Sequence, residues 1–213
     1  MLNQFKKILV LAPHTDDGEL GCGGTIAKFI EGGAEVRYIA FSLSRESVPD
    51  QFPDDILATE VLAATHELGI ATDHVTVHDF PVRKLNFHRQ EILEEMVKVK
   101  RSYDPDLVFM PSLNDIHQDH ETIAREGLRA FKNKTVLSYE LIWNNIDYKL
   151  TAINALDEQH VRKKVNALDQ YKSQKAKSSA YLEEEFIFSM ARVRGLQINQ
   201  PYAEAFEVVR WIM

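Results

Sequence analysis

Two short segments of the sequence gather the side chains that could do chemistry. The first, Ala12-Pro13-His14-Thr15-Asp16-Asp17, places one imidazole and two adjacent carboxylates directly after the apolar run Ile8-Leu9-Val10-Leu11. Carboxylates beside a buried strand are costly unless a positive charge neutralises them. A divalent ion supplies that charge, and His with Asp is a ligand set that zinc accepts. The second segment, Asn114-Asp115-Ile116-His117-Gln118-Asp119-His120, follows another apolar run, Leu107-Val108-Phe109-Met110. Each has a plainer explanation when taken alone. Asp16 or Asp17 could simply cap a following helix, and the second segment could be a polar loop with two solvent-facing histidines. Their coincidence favours a metal: three of the eight histidines and several carboxylates fall in loops that the pattern puts at one sheet edge. Three protein ligands with an open position make a catalytic site, whereas a structural site closes with four.

The elements that must carry these loops alternate between strand and helix. Ile8–Leu11 reads as a buried parallel strand and Thr25–Ile30 as helix. Glu35–Phe41 reads as a second strand after the Gly32-Gly33 turn, followed by a loop from Leu43 to Pro53 with proline and aspartate breakers. Ile56 to Leu68 has helical spacing, with Gly69 as its stop. His74–His78 suggests a short third strand, and Ile92–Val97 marks a helix that ends near Tyr103-Asp104-Pro105. Leu107–Met110, a helix from Asp119 to Phe131 and the strand Thr135–Tyr139 complete the alternation. Beyond it, Ala155 to Ser178 reads as one polar helix, Ala180 to Arg194 as another, and Glu204 to Trp211 as a terminal strand. This order predicts an α/β, Rossmann-like, mostly parallel sheet flanked by helices, in a single domain spanning residues 1–213.

Composition narrows the class. The 213 residues are 45% hydrophobic and 27% charged, as expected of a globular chain with a real core. The 25 Lys and Arg against 32 Asp and Glu give a formal charge of −7, which argues against nucleic acid as a partner. No stretch has the length to span a bilayer. The start, Met1 to Lys7 and then six residues ending at Pro13, lacks a signal peptide's apolar core and cleavage site. A single cysteine, Cys22, excludes an internal disulfide and agrees with a reducing, cytoplasmic location.

The remaining polar residues carry weaker signals. His66, His74, His88 and His160 read as surface or packing residues. His78, Arg83 and Lys84 near the third strand, with Arg45, Glu46, Glu140, Trp143 and Asn144, fall in loops or strand ends that could shape a substrate pocket. Among them Arg45, His78, Arg83 and Trp143 are the candidate substrate contacts. Cys22 reads as packed filler and the Lys172–Lys177 stretch as a solvated helix face.

The motifs Ala12-Pro13-His14-Thr15-Asp16-Asp17, Gly21-Cys22-Gly23-Gly24 and His117-Gln118-Asp119-His120 resemble the PIG-L (LmbE-like) zinc-dependent de-N-acetylases. Fainter echoes are Glu60…Ala64…Leu68-Gly69, Tyr171-Lys172-Ser173-Gln174, Arg194-Gly195 and Tyr202-Ala203-Glu204-Ala205-Phe206. The resemblance implies zinc, with Fe²⁺ as an alternative, held by His14, Asp17 and His120. It implies Asp16 as the general base toward the attacking water. It implies His117 as oxyanion stabiliser and acid toward the leaving amine, its imidazolium held by Asp119. The implied substrate is an N-acetylglucosamine-type sugar or its conjugate, with self-association into a homo-oligomer an open alternative. The sequence departs from the family pattern at Thr15, where Pro is usual, at Gly18, where Glu is usual, and at Leu57, where many members carry an Arg. Two other readings stand beside this one: a non-haem Fe(II) oxygenase using His14, Asp16 and His120, and a non-catalytic nucleotide-binding module using the glycine run. The second lacks the G-x-G-x-x-G order and a Walker lysine.

Overall fold

The apolar runs become strands of one seven-stranded sheet: β1 (Lys7–His14), β2 (Glu35–Ser42), β3 (Val75–Val77), β4 (Leu107–Met110), β5 (Thr135–Tyr139), β6 (Ala152–Leu156) and β7 (Tyr202–Arg210). The computed structural model describes residues 5–212; Met1–Gln4, at the start of the chain, and Met213 lie outside the described residues. The spatial order is β3-β2-β1-β4-β5-β7-β6. The first five of these strands pair in parallel, whereas β7 runs antiparallel to both β5 and β6. The fold is therefore α/β with a mostly parallel sheet, and helices cover both faces.

Alternation along β1 shows how the layers form. Ile8, Val10 and Ala12 face one core together with Phe29, Leu57, Val61, Val161 and Leu168. These come from α1 (Asp17–Glu31), α2 (Ile56–Leu68) and α5 (Glu158–Leu168). Leu9 and Leu11 face the other core with Ile92, Met96 and Ile123, from α3 (Arg89–Tyr103) and α4 (Gln118–Ala130). A strand buried on both faces has no polar alternation to show, which is why β1 and β4 read as unbroken apolar runs. Gly69 ends α2 with φ of +96°, the left-handed conformation that glycine adopts without steric cost.

The segment expected as one helix from Ala155 to Ser178 is a strand, a helix and a short turn of helix. Ala152–Leu156 forms β6, pairing Ile153 with Ala205 and Leu156 with Tyr202. The Asp157 N–H donates to His160 Nδ1 at 3.0 Å and so starts α5 there. After α5 come the short α-helix Lys172–Lys175 (α6) and a 3₁₀ turn at Ala180–Leu182, before α7 (Glu184–Leu196). No Gly or Pro separates these pieces, so good helix formers masked an edge strand whose identity comes from its partner.

From β1 the chain winds outward to β2 and β3, then crosses back to place β4 on the other side of β1. The winding direction reverses between β1 and β4, and a crevice opens at their carboxyl ends. His14 is the last residue of β1, and the segment from Asn114 to His120 leaves β4 at the same edge. The topology thus brings the two segments together.

Candidate metal centre

Three side chains converge at this switch point. Asp17 opens α1, and its Oδ2 turns back to accept the His14 backbone N–H at 2.8 Å. That oxygen lies 3.2 Å from His14 Nδ1 and 3.3 Å from His120 Nε2, and the two ring nitrogens are 3.2 Å apart. Ligand atoms on a tetrahedral zinc with ordinary bond lengths are about 3.3 Å apart. The triangle therefore has the size of one face of such a coordination sphere. A second grouping is present: His14, His117 and His120 offer ring nitrogens all within 4.8 Å of one another. The Asp17 triangle is the tighter of the two and carries a negative charge. Asp16, which precedes α1, makes no side-chain capping bond.

Each imidazole of the triangle is oriented by a carboxylate on its far nitrogen, an arrangement that at metal sites fixes ring orientation and raises basicity. Asp115 Oδ2 sits 2.8 Å from His120 Nδ1, and Asp119 Oδ2 sits 3.1 Å from His14 Nε2. Asp119 also accepts the backbone N–H groups of Arg83 at 2.5 Å and Leu85 at 3.1 Å. This differs from the expectation that Asp119 holds the His117 imidazole. Its carboxylate crosses to His14, and only its backbone N–H reaches His117 Nδ1, at 3.2 Å. His117 is the N-cap of α4 through that contact. An Nδ1 that accepts a hydrogen bond leaves Nε2 as the protonated nitrogen of a neutral ring.

The electrostatics fit a site for positive charge. Burial alone would push Asp17 up, yet His120 and His14 beside it hold its carboxyl far below the usual range. Burial disfavours the charged imidazoles, yet Asp17 with Asp119 raises His14 to about 9, and Asp17 with Asp115 raises His120 to about 10. Three carboxylates, Asp17, Asp115 and Asp119, thus recruit protons where an ion would serve, so the residues present fit a divalent cation. Asp16 goes the other way: burial first, then Asp17, raise it to about 6. Burial, then His120 and His14, push His117 below the ordinary histidine range, against the expected imidazolium.

The centre lies at the floor of a cleft of about 400 Å³ whose walls include Ser44, Leu57, Val82, Arg83, Trp143 and Tyr181. Of the candidate substrate contacts, Arg83 and Trp143 line it, and Trp143 stacks on Tyr181 with centroids 4.5 Å apart. Arg45 instead pairs with Asp79 at 2.8 Å and with Asp54 at 3.3 Å, outside the cleft wall. His78 stacks on Phe41 and beside Phe80, also away from the cleft. Burial lowers its pKa, so it contributes stability above its unfolded value near 6.5 that is lost as pH falls through the depressed folded value. His78→Phe should flatten the acid side of the stability profile, checked by denaturant unfolding between pH 5 and pH 8.

Other residues of the neighbourhood carried little sequence signal. Glu19 is buried between the hydroxyls of Tyr38 at 2.5 Å and Tyr171 at 2.9 Å, and the Thr15 carbonyl lies within hydrogen-bond distance of both hydroxyls. Glu60 accepts the Ser173 N–H at 2.9 Å and so ties α2 to α6. Lys177, read as solvated, lines the cleft and faces Asp16. The glycine run offers no open anion loop: a Cβ on Gly21 would strike the Tyr139 ring at 2.3 Å, and one on Gly24 would meet Leu156 at 2.6 Å. That removes the structural basis of the nucleotide-binding alternative. The oxygenase alternative needed Asp16 beside His14 and His120, where Asp17 stands.

An α/β fold with a His–Asp–His cluster at its switch point defines an α/β protein with a site for a divalent metal. The chain belongs to the PIG-L family, described as GlcNAc-PI de-N-acetylase, which residues 9–131 match. It is 31% identical over 136 residues to diacetylchitobiose deacetylase of Thermococcus kodakarensis, covering 60% of this chain and 50% of that one. The chain thus spans about half the length of that curated relative. The conserved protein TT1542 from Thermus thermophilus has a similar fold, with TM-score 0.80 and 24% identity over 97% of this chain and 95% of that one. So does GalB, the 4-carboxy-2-hydroxymuconate hydratase from Pseudomonas putida, with TM-score 0.76 and 20% identity over 98% of both chains. One fold thus carries both names, and the activity must be argued from the site.

Proposed function

We propose that this chain is a metal-dependent hydrolase that removes the acetyl group from an N-acetylated sugar or its conjugate. The observation that carries the reading is the triangle of His14 Nδ1, Asp17 Oδ2 and His120 Nε2, with sides of 3.2–3.3 Å, in a cleft also lined by Asp16 and His117. Zinc in that triangle would lower the pKa of an attacking water to about 7 and polarise the amide carbonyl. Asp16, raised toward neutrality by its burial, takes the proton from that water. His117, neutral and with Nε2–H free of Asp119, donates a hydrogen bond to the oxygen on which negative charge develops. The proton on Asp16 then serves the departing amine, since an amine leaves readily only when protonated. Trp143 and Tyr181 offer an aromatic wall for the apolar face of a sugar ring.

The test is a screen for primary-amine release over N-acetylglucosamine, N,N′-diacetylchitobiose and glycoside conjugates of N-acetylglucosamine, with zinc, with Fe²⁺ and after chelation. The reading expects amine release from at least one class, abolished by chelation and restored by added metal. Metal-independent release, or none from any class with metal bound, would overturn it.

A further inference from the structure

α1 is broken in the middle. At Cys22 the backbone leaves helical geometry, with φ of −146° and ψ of 21°. A straight helix would pair Gly24 N–H with Leu20 C=O and Thr25 N–H with Gly21 C=O across this turn. Here the Glu204 carboxylate accepts both amides, Gly24 N–H at 3.1 Å and Thr25 N–H at 2.7 Å. The Lys164 ammonium donates to the Leu20 carbonyl at 2.6 Å and to Glu204 at 2.7 Å. Lys164 is 9% and Glu204 7% exposed, so both charges are withdrawn from water and pair with each other and with the break. The anion sits at the start of the second half-helix and the cation at the end of the first, each at the end its charge favours.

We propose that Lys164 and Glu204 are a positioning pair for the metal centre, holding the break in α1 so that its first half aims Asp17 at His14 and His120. This rests on the reading that those three residues hold a divalent ion. The first half, from Asp17 to Gly21, is too short to keep a direction of its own. Its second half is fixed, since Phe29 and Ile26 are buried in the core. The angle at Cys22 therefore decides where Asp17 lies. Gly23 and Gly24 lack the side chains that would crowd Lys164 and Glu204, which lets the pair reach the backbone. Lys164 lies on α5 and Glu204 on β7, and neither lines the cleft of the metal centre. The Tyr202–Phe206 motif thus acquires a physical role for its glutamate.

The experiment compares the full-length wild type with Glu204→Gln and Lys164→Met. Zinc affinity is measured by competition with a chromogenic chelator at 25 °C, and thermal midpoints are taken on the metal-free proteins. Both variants are expected to bind zinc at least about tenfold more weakly, at temperatures where they remain folded. Lys164→Arg, which keeps the charge, should recover most of that loss. Lower thermal midpoints with zinc affinity unchanged would overturn the proposal, because the pair would then serve stability alone. A second measurement needs no variant. Coupling is reciprocal, so zinc should slow hydrogen exchange at the Gly24 and Thr25 amides of the wild type by about tenfold. Unchanged exchange on zinc binding would also overturn it. A wild type that binds no zinc would instead defeat the reading of the centre, and the positioning role with it.

Discussion

Asp16→Asn should lower turnover by about 10²–10⁴-fold while the protein keeps its full complement of zinc. The substitution preserves shape and removes only the ability to accept a proton. Asp16 stands outside the triangle, since the oxygen facing both imidazoles belongs to Asp17. Its burial holds the carboxyl near neutrality, where a base is strong enough to take a proton yet still ionised for part of its population. Steady-state amine release together with metal content checks both halves of this result. An Asp16→Asn protein with full turnover would remove Asp16 from the chemistry, and one without metal would make it a ligand.

His117→Ala should cost turnover about 10²–10³-fold, again with zinc retained. The loss follows from removing a hydrogen-bond donor aimed at developing charge, in a cleft where such a donor counts for more than in water. Two features of the structure prepare His117 for that task. Its Nδ1 accepts the Asp119 backbone N–H, which leaves Nε2 as the protonated nitrogen of a residue that lines the cleft. Burial and the neighbouring histidines keep the ring neutral. A His117→Gln variant, which restores a donor without an imidazole, should recover part of the loss. Equal rates for the Ala and Gln variants, both far below wild type, would point to proton transfer by the imidazole instead.

Much of the frame was legible because buried parallel strands announce themselves. Leu107–Met110 and Thr135–Tyr139 are β4 and β5 to the residue, since an apolar run closed by Pro111 or ended at a polar loop has few other fates. β6 was hidden because Ala152–Leu156 becomes a strand only by pairing with β7. The two clusters could be read from residue type, but not the direction of each carboxylate. Whether Asp119 serves the histidine two residues before it or crosses to His14 depends on the approach of β1 and β4, which spacing does not encode. Asp115 was visible as one more acid in the loop, while its bond to His120 required the turn through Ser112 to be closed. The glycine run resembled a ligand cradle, yet what approaches it is Tyr139, Lys164 and Leu156. Leu57, where a family arginine is usual, is buried and lines the cleft, so that wall offers an apolar surface in place of a cation.

The central claim is that His14, Asp17 and His120 close on a single divalent ion. It is tested by the zinc content of the purified wild type and of Asp17→Ala and His117→Ala, measured by emission spectroscopy after dialysis against buffered zinc. The account predicts one ion per chain in the wild type and in His117→Ala, and almost none in Asp17→Ala. Metal retained without Asp17 but lost without His117 would contradict it, and would give the ion to the three imidazoles.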